Sequence, residues 1–103
     1  MHKLIVAIVR SEKIENVTSA LKSEGIPFTY SSVKGYCGEV HLYQKDIHDR
    51  IKIEVLSLEA DVQRIKDIVM ANACCGLEGD GCISVYALDD HITFSPEHAE
   101  DLK

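Results

Sequence analysis

The chain has 103 residues, 46% of them hydrophobic, and a formal net charge of −6. That is enough apolar content for one folded domain around one core, and it excludes a disordered chain. The acidic balance argues against nucleic acid as a partner, because neutralising phosphates needs a basic face, and it disfavours an anionic membrane surface.

The first apolar run, Leu4-Ile5-Val6-Ala7-Ile8-Val9, is far too short to span a bilayer. Charge resumes at Arg10-Ser11-Glu12-Lys13 without a small-residue cleavage site, so the run reads as a first strand buried on both faces rather than a signal peptide. The reading that follows is a cytoplasmic protein with no membrane insertion, whose four cysteines are reduced at rest. Ser11 is placed to cap a helix carrying Ile14, Val17 and Leu21 at helical spacing, closed by Gly25 and barred from resuming by Pro27. Phe28 to Val33 reads as a second strand. A polar excursion then lasts from Lys34 to about Arg50.

Ile51, Ile53 and Val55 alternate with Lys52 and Glu54, which predicts a half-buried strand. Val62, Ile65 and Val69 mark a second amphipathic helix ended by Gly76, and Ile83, Val85 and Ala87 a fourth strand. The tail, residues 89–103, is polar and acidic. The order β-α-β-β-α-β predicts an α+β, ferredoxin-like sandwich with both helices on one sheet face. The other face carries a mixed set that includes Lys52, Glu54, Ser84 and Tyr86. A homotrimer or other small ring would cover it. The chain is read as one domain, with its core in residues 1–92 and a loop at 37–49.

Between the second helix and the fourth strand lies Cys74-Cys75-Gly76-Leu77-Glu78-Gly79-Asp80-Gly81-Cys82. Such glycine spacing lets a backbone turn sharply and present successive amides to an anion. The segment itself has no lysine or arginine. Vicinal Cys74 and Cys75 are poorly placed to bridge each other, and the C-terminal end of a helix does not favour a thiolate at Cys75. Three readings of the cysteines stand: small packed residues, soft-metal ligands, or redox thiols. No Ser-His-Asp arrangement or paired-carboxylate site has supporting context, so the chain is not read as an enzyme.

Val33-Lys34-Gly35-Tyr36, Arg50-Ile51-Lys52-Ile53-Glu54-Val55 and Gly76-Leu77-Glu78-Gly79-Asp80-Gly81, together with residues 1–21, resemble the PII nitrogen-regulatory signal proteins. The resemblance covers roughly residues 1–92. It implies a ferredoxin-like trimer that binds ATP or ADP in clefts between subunits, often with Mg²⁺ and 2-oxoglutarate, and signals through a flexible loop. By position it places Gly35, Gly38, Glu39, Arg50, Glu54, Leu56, Gly79, Asp80, Gly81 and Cys82 at the ligand cleft. The loop that meets a target protein, whether transporter, enzyme or regulator, would present Tyr36, Glu39, His41, Tyr43, Lys45 and His48. Tyr43 stands seven residues before Arg50, the spacing of the tyrosine that some members have nucleotidylated. The plainer reading of Tyr43 is an exposed contact residue.

The chain departs from the family pattern where phosphate would bind. Cys82 replaces the basic residue after Gly-Asp-Gly, Gly38 replaces a loop arginine, and Thr93 and Ser95 take the places of an Arg-x-Arg pair. Each charge-assisted contact is worth roughly 1.5–3 kcal/mol, so ATP should bind weakly and AMP or ADP better. Glu39 in place of a glutamine argues against 2-oxoglutarate, although Arg50 keeps one carboxylate contact. The family's trimer would also bring Cys37, Cys75 and Cys82 together. The alternative on the same scaffold is therefore a Zn²⁺ or Cu(I) sensor, or a thiol-redox sensor. A third is an interaction module without a ligand.

Overall fold

A computed structural model describes residues 1–36, 47–76 and 80–96. Its elements are β1 (His2–Arg10), α1 (Ile14–Ser23), β2 (Thr29–Tyr36), β3 (Ile47–Leu58), α2 (Val62–Ala73) and β4 (Gly81–Ala87). A single 3-10 turn leads into each helix, Ser11–Lys13 before α1 and Glu59–Asp61 before α2. The four strands form one antiparallel sheet in the order β2-β3-β1-β4. The chain has the ferredoxin-like α+β fold.

Period-two alternation sorts the strands. Ile5, Ala7 and Val9 stand beside Val55, Ile53 and Ile51, and all six are buried against the helices. From the helices, Val17 and Leu21 meet Ile65, Val69 and Ala73 in the same core. Their spacings of four and eight residues keep them on one helical face. Ile53 and Leu21 have no exposed surface, so truncating either to alanine costs about 2–5 kcal/mol. Helix α1 stops where Gly25 takes φ +69°. The Ile26 and Gly25 amides then donate to the Leu21 and Lys22 carbonyls, each at 3.0 Å, which satisfies the helix end and turns Ile26 into the core.

Three local expectations change. Ser11 lies in the 3-10 turn and does not cap α1. Its hydroxyl instead donates to the Asp49 carbonyl at 3.5 Å. Helix α2 ends at Ala73, three residues short of Gly76. The hairpin is also longer than the hydrophobic pattern suggests. Strand β2 runs to Tyr36 and β3 starts at Ile47, with Gly35 opposite His48 and Lys34 opposite Asp49. Tyr36 and His48 are therefore strand residues, and of the expected loop 37–49 residues 47–49 belong to β3, while 37–46 lie outside the described residues.

The second sheet face carries Leu4, Val6 and Ile8 in the middle strand. Lys52, Glu54 and Leu56 flank them on one side, and Cys82, Ser84 and Tyr86 on the other. Leu56 and Tyr86 are exposed, 46% and 54%, so their cross-strand row with Leu4 leaves apolar surface uncovered. Among the described residues no helix is long and apolar enough to cross a membrane.

Candidate functional site

At one end of the sheet, β2 begins to pair only at Thr29, opposite Glu54, so the β3 edge from Val55 to Leu58 has no β2 partner. A groove of about 880 Å³ occupies that gap. Thr29, Glu54, Leu56, Phe28, His91 and Thr93 are among the residues that line it. His91 is fixed by a tilted ring contact with His2, centroids 4.9 Å apart, and by a 3.0 Å hydrogen bond between Nε2 and the Thr93 hydroxyl. Two of the sequence-predicted ligand residues, Glu54 and Leu56, thus share a wall. Glu54 also pairs with Lys52 at 3.5 Å.

The described parts of the Gly-rich segment, residues 74–76 and 80–82, lie at the opposite end. The Asp80 carboxylate there does not face open space. Asp80 Oδ2 accepts the Cys75 amide at 2.9 Å, and Oδ1 accepts the Cys75 thiol at 2.8 Å and Arg10 Nε at 3.2 Å. The carboxylate thereby takes the part that a bound anion would play. An incoming phosphate has to compete with it for the same donors. The hydrogen bond to Asp80 is the largest cause that pushes the Cys75 thiol above its ordinary pKa. Desolvation and the Asp80 charge add to the rise, and Arg10 and Lys13 oppose it. The expectation that Cys75 stays a thiol agrees with this direction, but the main cause is Asp80.

Gly81, with φ +139°, follows Asp80. A Cβ there would collide with the Ile8 carbonyl oxygen of β1, so this glycine is required by strand-to-strand approach. Asp80, Gly81, Cys82 and Cys74 line a second cavity of about 260 Å³ with Lys66, Met70 and Ile8. Cys74, Cys75 and Cys82 are all exposed free thiols, so Cys74 is not a packed core residue.

A third cluster sits near the Gly-rich segment. On the uncovered face Arg50 stands opposite Arg10, and Val33 opposite Arg50. Arg50 Nη1 donates to the Asp49 carbonyl at 2.9 Å. Gly35 faces His48 one row further on, with nothing among the described residues within 4 Å of where its Cβ would be. His48 Nε2 is buried, and it has no hydrogen-bond partner among the described residues.

Of the sequence-predicted ligand residues, the structure therefore divides the described ones among these places. Glu54 and Leu56 lie in the groove, Asp80, Gly81 and Cys82 at the second cavity, and Gly35 and Arg50 on the hairpin. Gly38, Glu39 and Gly79 lie outside the described residues, as do His41, Tyr43, Lys45 and Cys37 of the loop and metal readings. Among the described residues no group of three or more His, Cys, Asp or Glu side chains is arranged to hold a metal ion, and the sensor reading of Cys37, Cys75 and Cys82 gains no support. Arg10 was the residue that sequence reasoning missed. The segment lacks a cation of its own, but β1 delivers one in space. The available signal was the strand order, which sets the end of β1 beside the start of β4.

Comparison with known proteins bears on what these places do. A family model described as nitrogen regulatory protein P-II matches residues 2–98. Nitrogen regulatory protein P-II 2 of Methanothermobacter thermautotrophicus is 31% identical over 99 residues, covering 87% of this chain and 86% of that protein. Nitrogen regulatory protein P-II 1 of the same organism is 32% identical over 107 residues, covering 94% and 93%. Nitrogen regulatory protein GlnK of Escherichia coli K12 is 32% identical over 108 residues, covering 96% of each chain.

Proposed function

Because this chain belongs to the nitrogen regulatory protein P-II family, whose members are regulatory signal proteins and not enzymes, we propose that it is a cytoplasmic, homotrimeric regulator of one domain that binds AMP or ADP between subunits. One observation carries this reading. The groove at Glu54 and Leu56 and the Gly-rich segment at Asp80 and Gly81 sit at opposite ends of one sheet. Leu56 shares a row with Leu4 and Tyr86, and Gly81 is five residues from Tyr86 along β4. At about 3.4 Å per residue that is roughly 17 Å, too far for both to hold one end of a nucleotide within one chain. A neighbouring copy that sets its groove against this chain's Gly-rich segment makes one complete cleft. It also covers the apolar row Leu56, Leu4 and Tyr86.

In that cleft the groove takes the base and ribose, and the segment at 75–82 takes the phosphate end. The phosphate end has Arg10 but not the cations of the usual pattern, and Asp80 already engages Arg10. Short phosphate chains are therefore favoured over ATP. Occupancy shifts the hairpin that ends at Tyr36 and Ile47, and residues 37–46 carry the result to a target protein.

Native mass spectrometry and calorimetry test this directly. The expected result is a trimer that binds ADP or AMP more tightly than ATP. Tyr86→Glu, which puts a charge on the uncovered face, should yield monomers and lose nucleotide with the trimer. A wild-type monomer, or a trimer that takes no adenine nucleotide, overturns the reading.

A further inference from the structure

The buried Nε2 of His48 is a polar atom left without a hydrogen bond among the described residues, in a strand where an apolar side chain would cost less. It stands beside cations. Arg50 is two residues along the same strand face, about 7 Å away at the backbone. Arg10 is the cross-strand partner of Arg50. Gly35 opposite His48 presents no side chain, and among the described residues nothing stands within 4 Å of where its Cβ would be. The Cys75 amide and thiol and Arg10 Nε are meanwhile engaged with Asp80. An anionic group that arrives at this end of the sheet meets those occupied donors at Asp80, and at His48 a ring nitrogen that lacks a partner among the described residues.

We propose that His48 is a specificity-determining residue which, through Nε2–H, receives a terminal oxyanion of the effector beside Arg50 and Arg10. This rests on the nucleotide reading for the identity of the effector, with the second phosphate of ADP as the group received. It does not rest on that reading for the site, which any phosphate oxyanion can probe. Arg50 and Arg10 supply positive charge, and His48 supplies direction. A hydrogen bond that gains a partner only when the anion is bound makes the pair stronger in the bound state than in the free one.

Two measurements on the full chain test the proposal. In the first, ¹⁵N-histidine spectra are followed while inorganic phosphate, AMP and ADP are added. The His48 Nε2 signal should shift with phosphate and with ADP, and little with AMP. In the second, ADP and AMP affinities are compared for wild type, His48→Leu and His48→Gln. The leucine variant should lose about tenfold for ADP and nearly nothing for AMP, and glutamine, which keeps a donor at that reach, should recover most of the loss. His48→Leu should also unfold at higher denaturant, because it removes a buried unpaired atom. That gain separates lost recognition from lost folding.

A His48 signal that stays still with phosphate and with ADP overturns the proposal, as does an equal loss for AMP and ADP in His48→Leu. If no nucleotide binds wild type but phosphate still moves His48, the nucleotide reading fails and the oxyanion site stands.

Discussion

Arg10 and Asp80 are 70 residues apart in sequence, and Arg10 Nε donates to Asp80 Oδ1 at 3.2 Å. Neither side chain is freely solvated, at 22% and 16% exposed, so their attraction is screened less than that of a surface pair. Lys34 and Asp49 make a shorter contact, 2.7 Å, but both are about three-quarters exposed. Environment decides between the two pairs more than distance does. Arg10→Met or Asp80→Asn should each lower stability by about 1–2 kcal/mol, with a double variant clearly short of the sum. Lys34→Met should stay within about 0.5 kcal/mol of wild type. Urea denaturation of the four variants checks the order, and equal effects for Arg10→Met and Lys34→Met would refute it.

Cys75 gives the pH dependence. Its thiol donates to Asp80, which raises its pKa in the folded chain. The folded state therefore keeps a proton that the unfolded state has already lost. Stability from this contact is fully present below the unfolded thiol's pKa, roughly 8.5, and is lost as pH rises through the higher folded value. Wild type should lose stability across that alkaline window more steeply than Cys75→Ser. Alkylation by iodoacetamide should reach Cys75 at lower pH in Asp80→Asn than in wild type. Identical alkylation profiles in the two proteins would show that Asp80 does not hold the thiol.

Where burial is one-sided, the sequence carries the fold openly. The Val17 and Leu21 spacing and the alternation Ile51, Ile53, Val55 each record a face turned to the core, whereas Leu4 to Val9 is apolar on both sides and only Ile5, Ala7 and Val9 are buried. The hydrophobic pattern underestimates the outer hairpin because β2 is an edge strand, exposed along most of its length apart from Val33. Polar residues such as Ser31, Ser32 and Lys34 then fit either face, and no alternation marks the strand. For the same reason the pattern does not show that His48 lies in a strand. The glycine spacing of the segment points to a special backbone, but not to the constraint that Gly81 meets against β1. Local spacing does not mark Arg10 as a site residue, because its proximity to Asp80 is a product of strand order, which only the succession of elements along the chain carries.

The glycines separate structural need from ligand need. Gly81 has φ +139° and its missing Cβ would meet the Ile8 carbonyl oxygen, so Gly81→Ala must move β1 or β4. It should cost about 3 kcal/mol or more, or prevent folding. Gly35 lies in an exposed edge strand with nothing among the described residues within 4 Å of the missing Cβ. Gly35→Ala should leave stability unchanged or raise it by about 0.5–1 kcal/mol, because alanine has less backbone freedom to lose. If Gly35 is glycine so that an effector can approach the backbone beside His48, the same variant should bind ADP at least several-fold more weakly while folding as well as wild type. Thermal unfolding and calorimetry on Gly35→Ala decide the point together. A variant as stable as wild type and unchanged in ADP affinity would remove Gly35 from the cleft, and a destabilised one would mean that the hairpin itself needs the glycine.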